Sequence, residues 1–326
     1  MKFTTKVLAS VAAIAMPFAA SAADLTLRFG HVGNPGSLFE ASVDAYAECA
    51  NGRLGDRAEV QTFGSSQLGK DRELLQKLKL GQVDFSLPSS VMSSVAPEFG
   101  VFEMPYIVQD RDHMRRIQEE LGDVFQEAAL REGYRIVGYF ENGFRHITNN
   151  TRPISTPADL EGIKLRTPNG EWRVKMFQQY GANPTPMAFS EVFTALQTNV
   201  IDGQENPYAQ IASAKFQEVQ KYLSITGHVY TPGYVLVAES QWQKWPEDVR
   251  ADLEACGAET QGFVYAHAEK LETELLEVIR EAGVEINEAD KQAFIDASAA
   301  IYEEFASTVD GGAELIDRIQ NLASGS

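Results

Sequence analysis

The stretch Leu25-Thr26-Leu27-Arg28-Phe29-Gly30 opens a run whose alternation decides the fold. Leu25, Leu27 and Phe29 alternate with Thr26, Arg28 and Gly30, the period of a strand with one buried face. Leu38 to Ala50 then repeats apolar residues at Phe39, Val43, Tyr46 and Ala50, with Ser37 as cap and Asn51-Gly52 as stop, which predicts a helix. Ala58 to Phe63 reads as a second strand, Asp71 to Leu80 as a helix ended by Gly81, and Val83 to Leu87 as a third strand. Strand, helix, strand, helix, strand predicts an α/β layer with parallel pairing.

Downstream, Tyr134 to Phe140 alternates again, Asn142-Gly143 reads as a turn, and Ile163 to Arg166 starts a second α/β unit. Helices around Glu171 to Tyr180 and from Ser190, read as a cap, to Thr198 carry that unit forward, followed by Val200-Ile201-Asp202-Gly203. From Pro246 the chain is mainly helical, with Val249, Leu253, Cys256, Thr260, Val264 and His267 on one face. A chain of 326 residues exceeds what one core usually organises, so two units are expected, and with no linker between them strands should form the joint.

Residues 1–22 have the composition of an export signal: Lys2 and Lys6, an apolar run from Val7 to Ala20, then Ala20-Ser21-Ala22. The expected product is periplasmic. No cysteine lies beside the cleavage site to take a lipid, and no later apolar run reaches the ~18 residues of a membrane span, so it should not be membrane-embedded. The 28 basic and 46 acidic residues give a net charge of −18, a field that repels nucleic acid and acidic membrane surfaces. Any anion must then be held by local arginines in a cleft. Cys49 and Cys256 are the only cysteines, and the sequence leaves two buried thiols and a bridge equally open. No metal or redox motif is present, so neither metal nor cofactor is expected.

Two motifs point to an anion. Gly162-Ile163-Lys164-Leu165-Arg166-Thr167-Pro168 places an arginine in a strand stopped by proline, where its fork can meet a carboxylate through two parallel hydrogen bonds. Asp202-Gly203-Gln204-Glu205-Asn206-Pro207 extends Asn206 ahead of a proline. With Ser65-Ser66-Gln67-Leu68-Gly69-Lys70-Asp71-Arg72, Glu103-Met104-Pro105-Tyr106, Asn142-Gly143-Phe144-Arg145 and Pro184-Thr185-Pro186-Met187-Ala188-Phe189-Ser190-Glu191, these six motifs in order resemble the solute-binding proteins of tripartite ATP-independent periplasmic (TRAP) transporters. The resemblance runs over essentially the whole mature length.

It implies a two-lobed α/β clamp, each lobe a mixed sheet flanked by helices, with a long C-terminal-region helix bridging both. Lobe I would comprise residues 23–144 and 232–271, and lobe II residues 145–231 and 272–326. By resemblance Arg166 holds the ligand carboxylate, Arg145 and Asn206 add polar contacts, and Phe189 packs on the ligand. The implied partners are one small and one large membrane subunit, and the protein itself is expected to be a monomer. From the residues alone, His31 and Ser89 follow strands, where open α/β sheets bind ligands. Asp71 and Glu73 begin a helix, where they could bind ligand or merely complement its dipole. Trp172 could stack on a sugar face or fill the interlobe core, and His146, Gln204 and Tyr234 are similar candidates for the ligand set.

An acidic ligand is implied, whether keto acid, dicarboxylate, sialic acid or sugar acid. Gly30 to Ser37, Phe144 to Asn150 and Gly170 to Arg173 resemble the hexuronate-binding branch, so the expected ligand is D-galacturonate or D-glucuronate. An enzyme acting on uronates would need a nucleophile or base with an orienting partner, and no such constellation is legible.

Overall fold

The computed structural model describes residues 25–323; the export-signal expectation over residues 1–22 lies outside the described residues. The first unit forms as its alternation predicts. Strand β1 (Thr26–Gly30) is flanked in parallel by β2 (Glu59–Phe63) and β3 (Phe85–Ser86), with helices α1 (Leu38–Leu54) and α2 (Asp71–Lys79) as crossovers. Phe29 stacks on Phe85 at 5.4 Å between ring centres and meets Tyr46 of α1 edge-on at 5.7 Å. Burying each such ring stabilises the unit by roughly 1.5–3 kcal/mol, and Phe29→Ala would leave a cavity costing about 3–5 kcal/mol.

After α3 (Arg111–Arg131), strand β4 (Tyr134–Asn149) begins the passage to the second unit. That unit comprises β5 (Lys164–Thr167), α4 (Glu171–Gln179), β6 (Asn183–Pro186), α5 (Val192–Gln197), β7 (Gly203–Asn206) and α6 (Tyr208–Ser213). Strand β8 (Tyr222–Ala238) returns antiparallel to β4. Next come α7 (Glu239–Trp242), α8 (Glu247–Glu281), β9 (Glu285–Glu288), α9 (Lys291–Asp296), α10 (Ala299–Thr308) and α11 (Gly312–Asn321). The sheet order is β2-β1-β3-β8-β4-β7-β5-β6, with β9 also on β8. Among the described residues, β4 and β8 are the strands of this sheet that run through both halves. β3 pairs with β8 at Leu236, whereas β7 pairs with β4 over His146 to Asn149.

Three local expectations are corrected. Helix α1 does not stop at Asn51-Gly52 but runs to Leu54, because the Asn51 side chain binds the backbone N–H and C=O of Val60 and anchors β2 instead. Asn142-Gly143 is not a turn. β4 passes straight through, and Gly143 (φ +113°) absorbs a register shift against β8 between Glu141 and Gly143. Ser190 does not cap a helix: a short 3₁₀ turn over Phe189–Glu191 precedes α5, with no side-chain cap.

Helix α8 has 35 residues and lies across both halves, burying Val249, Leu253 and Cys256 near its start and Ile279 near its end. It approaches β4 closely at Gly257, where a Cβ would sit 2.1 Å from the Val137 carbonyl oxygen, so a glycine is required there. One turn of α8 is joined to α1 by a disulfide between Cys49 and Cys256, whose Cα atoms are 5.7 Å apart. Among the described residues, no helix is long and apolar enough to cross a membrane.

Candidate functional site

The two halves meet over a narrow cavity of about 50 Å3. Val32, Phe39, Asp71, Ser89, Ser90 and Val91 line it from the first unit, and Arg166, Pro168, Asn169, Met187 and Phe189 from the second. Asn142 and Arg145 of β4, Asn206 at the end of β7 and Gln210 of α6 complete the wall. The lips touch. Lys70 reaches Glu191 at 2.7 Å, and a Cβ on Gly170 would fall 2.6 Å from the Ser93 hydroxyl.

Arg166 sits on β5, pinned between Thr185 of β6 and Gln204 of β7, so its backbone is held from both sides. Its Nε and Nη2 donate to the Met187 carbonyl at 3.0 and 2.8 Å. That leaves both Nη1 hydrogens and one on Nη2, a complete edge of the fork, without a protein acceptor. Only 3% of the residue is exposed. Burial, and then the nearby Arg145, pushes its pKa down to about 10 against the pull of Glu205 and Asp71. A cation so destabilised by desolvation is receptive to an anion.

Arg145 is equally buried, but two of its three nitrogens are already occupied. Its Nε donates to Glu205 Oε2, and its Nη2 reaches Glu205 Oε1 at 3.0 Å and the Glu205 carbonyl. Glu205 also takes Arg173 Nη1 at 2.7 Å and lies 3.2 Å from His228 Nε2, while Arg173 Nη2 pairs with Glu103 at 2.7 Å. Burial would raise the Glu205 pKa, but the guanidiniums of Arg145 and Arg173 hold it well below the carboxylate range. His228 stays neutral, lowered to about 4 chiefly by burial. Arg145 therefore borders the cavity as one end of an internal ion network, with its Nη1 alone left without a protein acceptor.

Of the other expected residues, Asn206, Phe189, Ser89 and Asp71 line the cavity. Asn206 donates its amide to Gln204, leaving its oxygen free, and Phe189 meets Phe216 edge-on at 5.8 Å. The rest lie outside it. Glu73 folds back onto the Lys70 amide as a helix cap at 3.2 Å. His31 is buried under Gly33 and Gly64, with a pKa lowered to about 4 by burial. Gln204 is buried, donating to Thr148, and Tyr234 is packed among Phe99 and Tyr139. Trp172 packs on Phe305 and walls a separate groove with Arg72 and Glu171. His146 points to the opposite face of β4, stacked on Tyr208 at 4.3 Å.

Asn142 and Gln210 were not anticipated. The Gln210 amide donates to Asn142 at 3.1 Å, and the Gln210 oxygen has no partner. The hydroxyls of Ser89 and Ser90 are likewise buried and unpartnered, so the wall presents polar atoms that only an occupant can satisfy.

Two lobes that share crossover strands and close over an open guanidinium edge make a clamp for a small anion. Similarity to known proteins gives that clamp its family. The chain belongs to the bacterial extracellular solute-binding proteins, family 7 (DctP), whose family model matches residues 29–308. A solute-binding protein of Verminephrobacter eiseniae is 36% identical over 88% of this chain and 87% of its own length. The sialic acid-binding periplasmic protein of Vibrio cholerae is 34% identical over 95% and 97%. Among solved structures, a TRAP periplasmic solute-binding protein of Bordetella, with density assigned as pantoate, superposes with a TM-score of 0.88 at 35% identity, covering 92% of this chain and 100% of that one. A Roseobacter denitrificans homologue with bound L-galactonate gives 0.85 at 33%, covering 93% and 100%. A Sulfitobacter homologue with bound β-D-galacturonate gives 0.87 at 26%, covering 91% and 99%. The protein is a TRAP solute-binding protein for organic acids, in a family of transport proteins.

Proposed function

We propose that this protein captures a sugar acid, D-galacturonate or D-glucuronate, in the periplasm and delivers it to one small and one large TRAP membrane subunit. The observation that carries the reading is the unoccupied edge of the Arg166 fork, which matches a carboxylate in shape, charge and donor number. The unpartnered Ser89, Ser90 and Gln210 oxygens and the free Asn206 oxygen suit a hydroxylated body behind that carboxylate. Phe39 and Phe189 offer apolar contact to a ring face.

Closure bridges Arg166 on lobe II to lobe I, and the ligand favours the closed state through contacts it makes only there. The joint lies where β4 and β8 change register around residues 141–147, close to the lobe boundaries at 144/145 and 231/232. An exported monomer with its signal removed fits this role.

An open-chain sugar acid is the second reading, favoured by the higher identity to the homologue holding L-galactonate. Calorimetry with D-galacturonate, D-glucuronate, L-galactonate, sialic acid and succinate separates them. Tightest binding by a hexuronate is expected; tighter binding of sialic acid or succinate would overturn the assignment.

A further inference from the structure

A chain of four buried side chains runs from the backbone to the cavity wall. Gln220, two residues before β8, turns its amide nitrogen to the carbonyls of Val219 and Asp202, at 3.2 and 3.4 Å. Its oxygen accepts the hydroxyl of Thr148, on β4, at 3.0 Å. The Thr148 oxygen in turn accepts the Gln204 amide at 2.9 Å, and the Gln204 oxygen accepts the Asn206 amide at 2.5 Å. Each of the four residues is at most 5% exposed, and of the four Asn206 alone lines the cavity. The direction of this chain is not free. A backbone carbonyl only accepts, so Gln220 must give it nitrogen and give Thr148 oxygen. Thr148 has one hydroxyl hydrogen, which that oxygen takes, so towards Gln204 it can only accept. The constraint passes on to Asn206, whose nitrogen is turned to Gln204 and whose oxygen is left for the cavity. The Gln210 and Asn142 side chains lack such an anchor: among the described residues they bond only one another.

Resting on the carboxylate reading of Arg166 above, we propose that Thr148, Gln204 and Gln220 are positioning residues that lock Asn206 as a hydrogen-bond acceptor, so that the site selects hydroxy acids over keto acids of the same skeleton. Gln204 lies opposite Arg166 in the pairing of β7 with β5, and Asn206 follows on the same face, roughly 7 Å further along the strand. A ligand whose carboxylate sits on Arg166 therefore sets one of its first hydroxyls against the Asn206 oxygen. That hydroxyl donates. A ketone oxygen in its place would set acceptor against acceptor and leave a buried amide oxygen without a partner, which costs far more than the lost contact alone. Freed from the relay, the Asn206 amide could present either end, and its nitrogen would accommodate a group that only accepts.

The test is calorimetry with whichever of D-galacturonate and L-galactonate binds the wild type more tightly. That parent is compared with two analogues in which fluorine, which cannot donate, replaces the hydroxyl nearest the carboxylate or the next one along. In wild type one of the two analogues is expected to bind about 10- to 100-fold more weakly than the parent. Thr148→Val keeps the shape of the side chain and removes its hydroxyl, and should narrow that gap to about threefold or less. Thr148→Ser, which keeps the hydroxyl, should retain the full gap. A Thr148 that served only the fold would weaken parent and analogues by a common factor and leave their ratio unchanged. Gln220→Met breaks the relay one step further from the cavity and takes the place of Thr148→Val should that variant fail to melt cooperatively. Wild-type binding of both analogues within about threefold of the parent, or an unchanged gap in the relay variant, would overturn the inference. Galactose and galactitol, the neutral counterparts, keep the two readings apart: if they bind as tightly as the acids, the carboxylate reading of Arg166 fails instead.

Discussion

Arg145 on β4 and Arg166 on β5 flank β7 in one sheet, 2% and 3% exposed, and they do opposite things with their charge. Arg145 faces a carboxylate supplied by the chain, Glu205, in a fork that also takes the Glu205 carbonyl. Arg166 faces only a carbonyl, that of Met187, and keeps an edge of its fork open. A buried guanidinium with an internal counter-ion holds the fold together, and one without is a receptor for an anion from outside. The contrast also explains why the two can sit close: Glu205 offsets part of the repulsion between them.

The largest effect should come from breaking the closed half of this pair. Glu205→Ala strands Arg145 and Arg173 without their shared carboxylate and should cost about 3–5 kcal/mol of stability, read by denaturant unfolding. The same pair sets an acid limit. The folded pKa of Glu205 lies below its ordinary 4.5, so the stability it contributes is fully present above pH 4.5 and is lost as pH falls below that value. Glu205→Gln should flatten stability against pH in that range; an unchanged acid limb would separate Glu205 from acid unfolding.

Next comes the open half. Arg166→Ala should weaken binding of the sugar acid by about 100- to 1000-fold, since it removes a bidentate charged contact, while leaving the melting temperature of the unliganded protein within about 2 °C. A large fall in melting temperature would make Arg166 a structural residue like Arg145. Replacing Cys49 and Cys256 together by serine should then lower stability by about 2–4 kcal/mol, because the bridge closes a loop of sequence separation 207. Ligand affinity should hold, as neither cysteine touches the cavity. The smallest effect is expected at the lips. Lys70→Ala removes an exposed ion pair to Glu191 and should change affinity by no more than about fivefold, with most of the change in the dissociation rate.

The alternation from Leu25 to Leu87 made the first unit legible because β1 and β2 bury alternate residues and α2 stops just before Gly81, although α1 runs past its predicted stop. Gly143 was misleading for a physical reason: a turn and a bulge both call for a glycine of positive φ, and only the partner strand β8 distinguishes them. Arg166 could be singled out because its strand is short and stopped by Pro168. The occupied state of Arg145 could not, since its partner is 60 residues away and reaches it only through the pairing of β4 with β7, where Ile147 lies opposite Glu205. The cysteine bridge is of the same kind, set by how α8 lies on α1. Trp172 and His146 were plausible from their neighbours, but the face of an element onto which each projects is decided by packing against Phe305 and Tyr208.

A crystal structure with D-galacturonate bound tests the central claim most directly. The account predicts the ligand carboxylate against Nη1 and Nη2 of Arg166 at hydrogen-bonding distance, with Arg145 still paired to Glu205. A carboxylate bound elsewhere in the cleft, with the open edge of Arg166 facing only water, would contradict it.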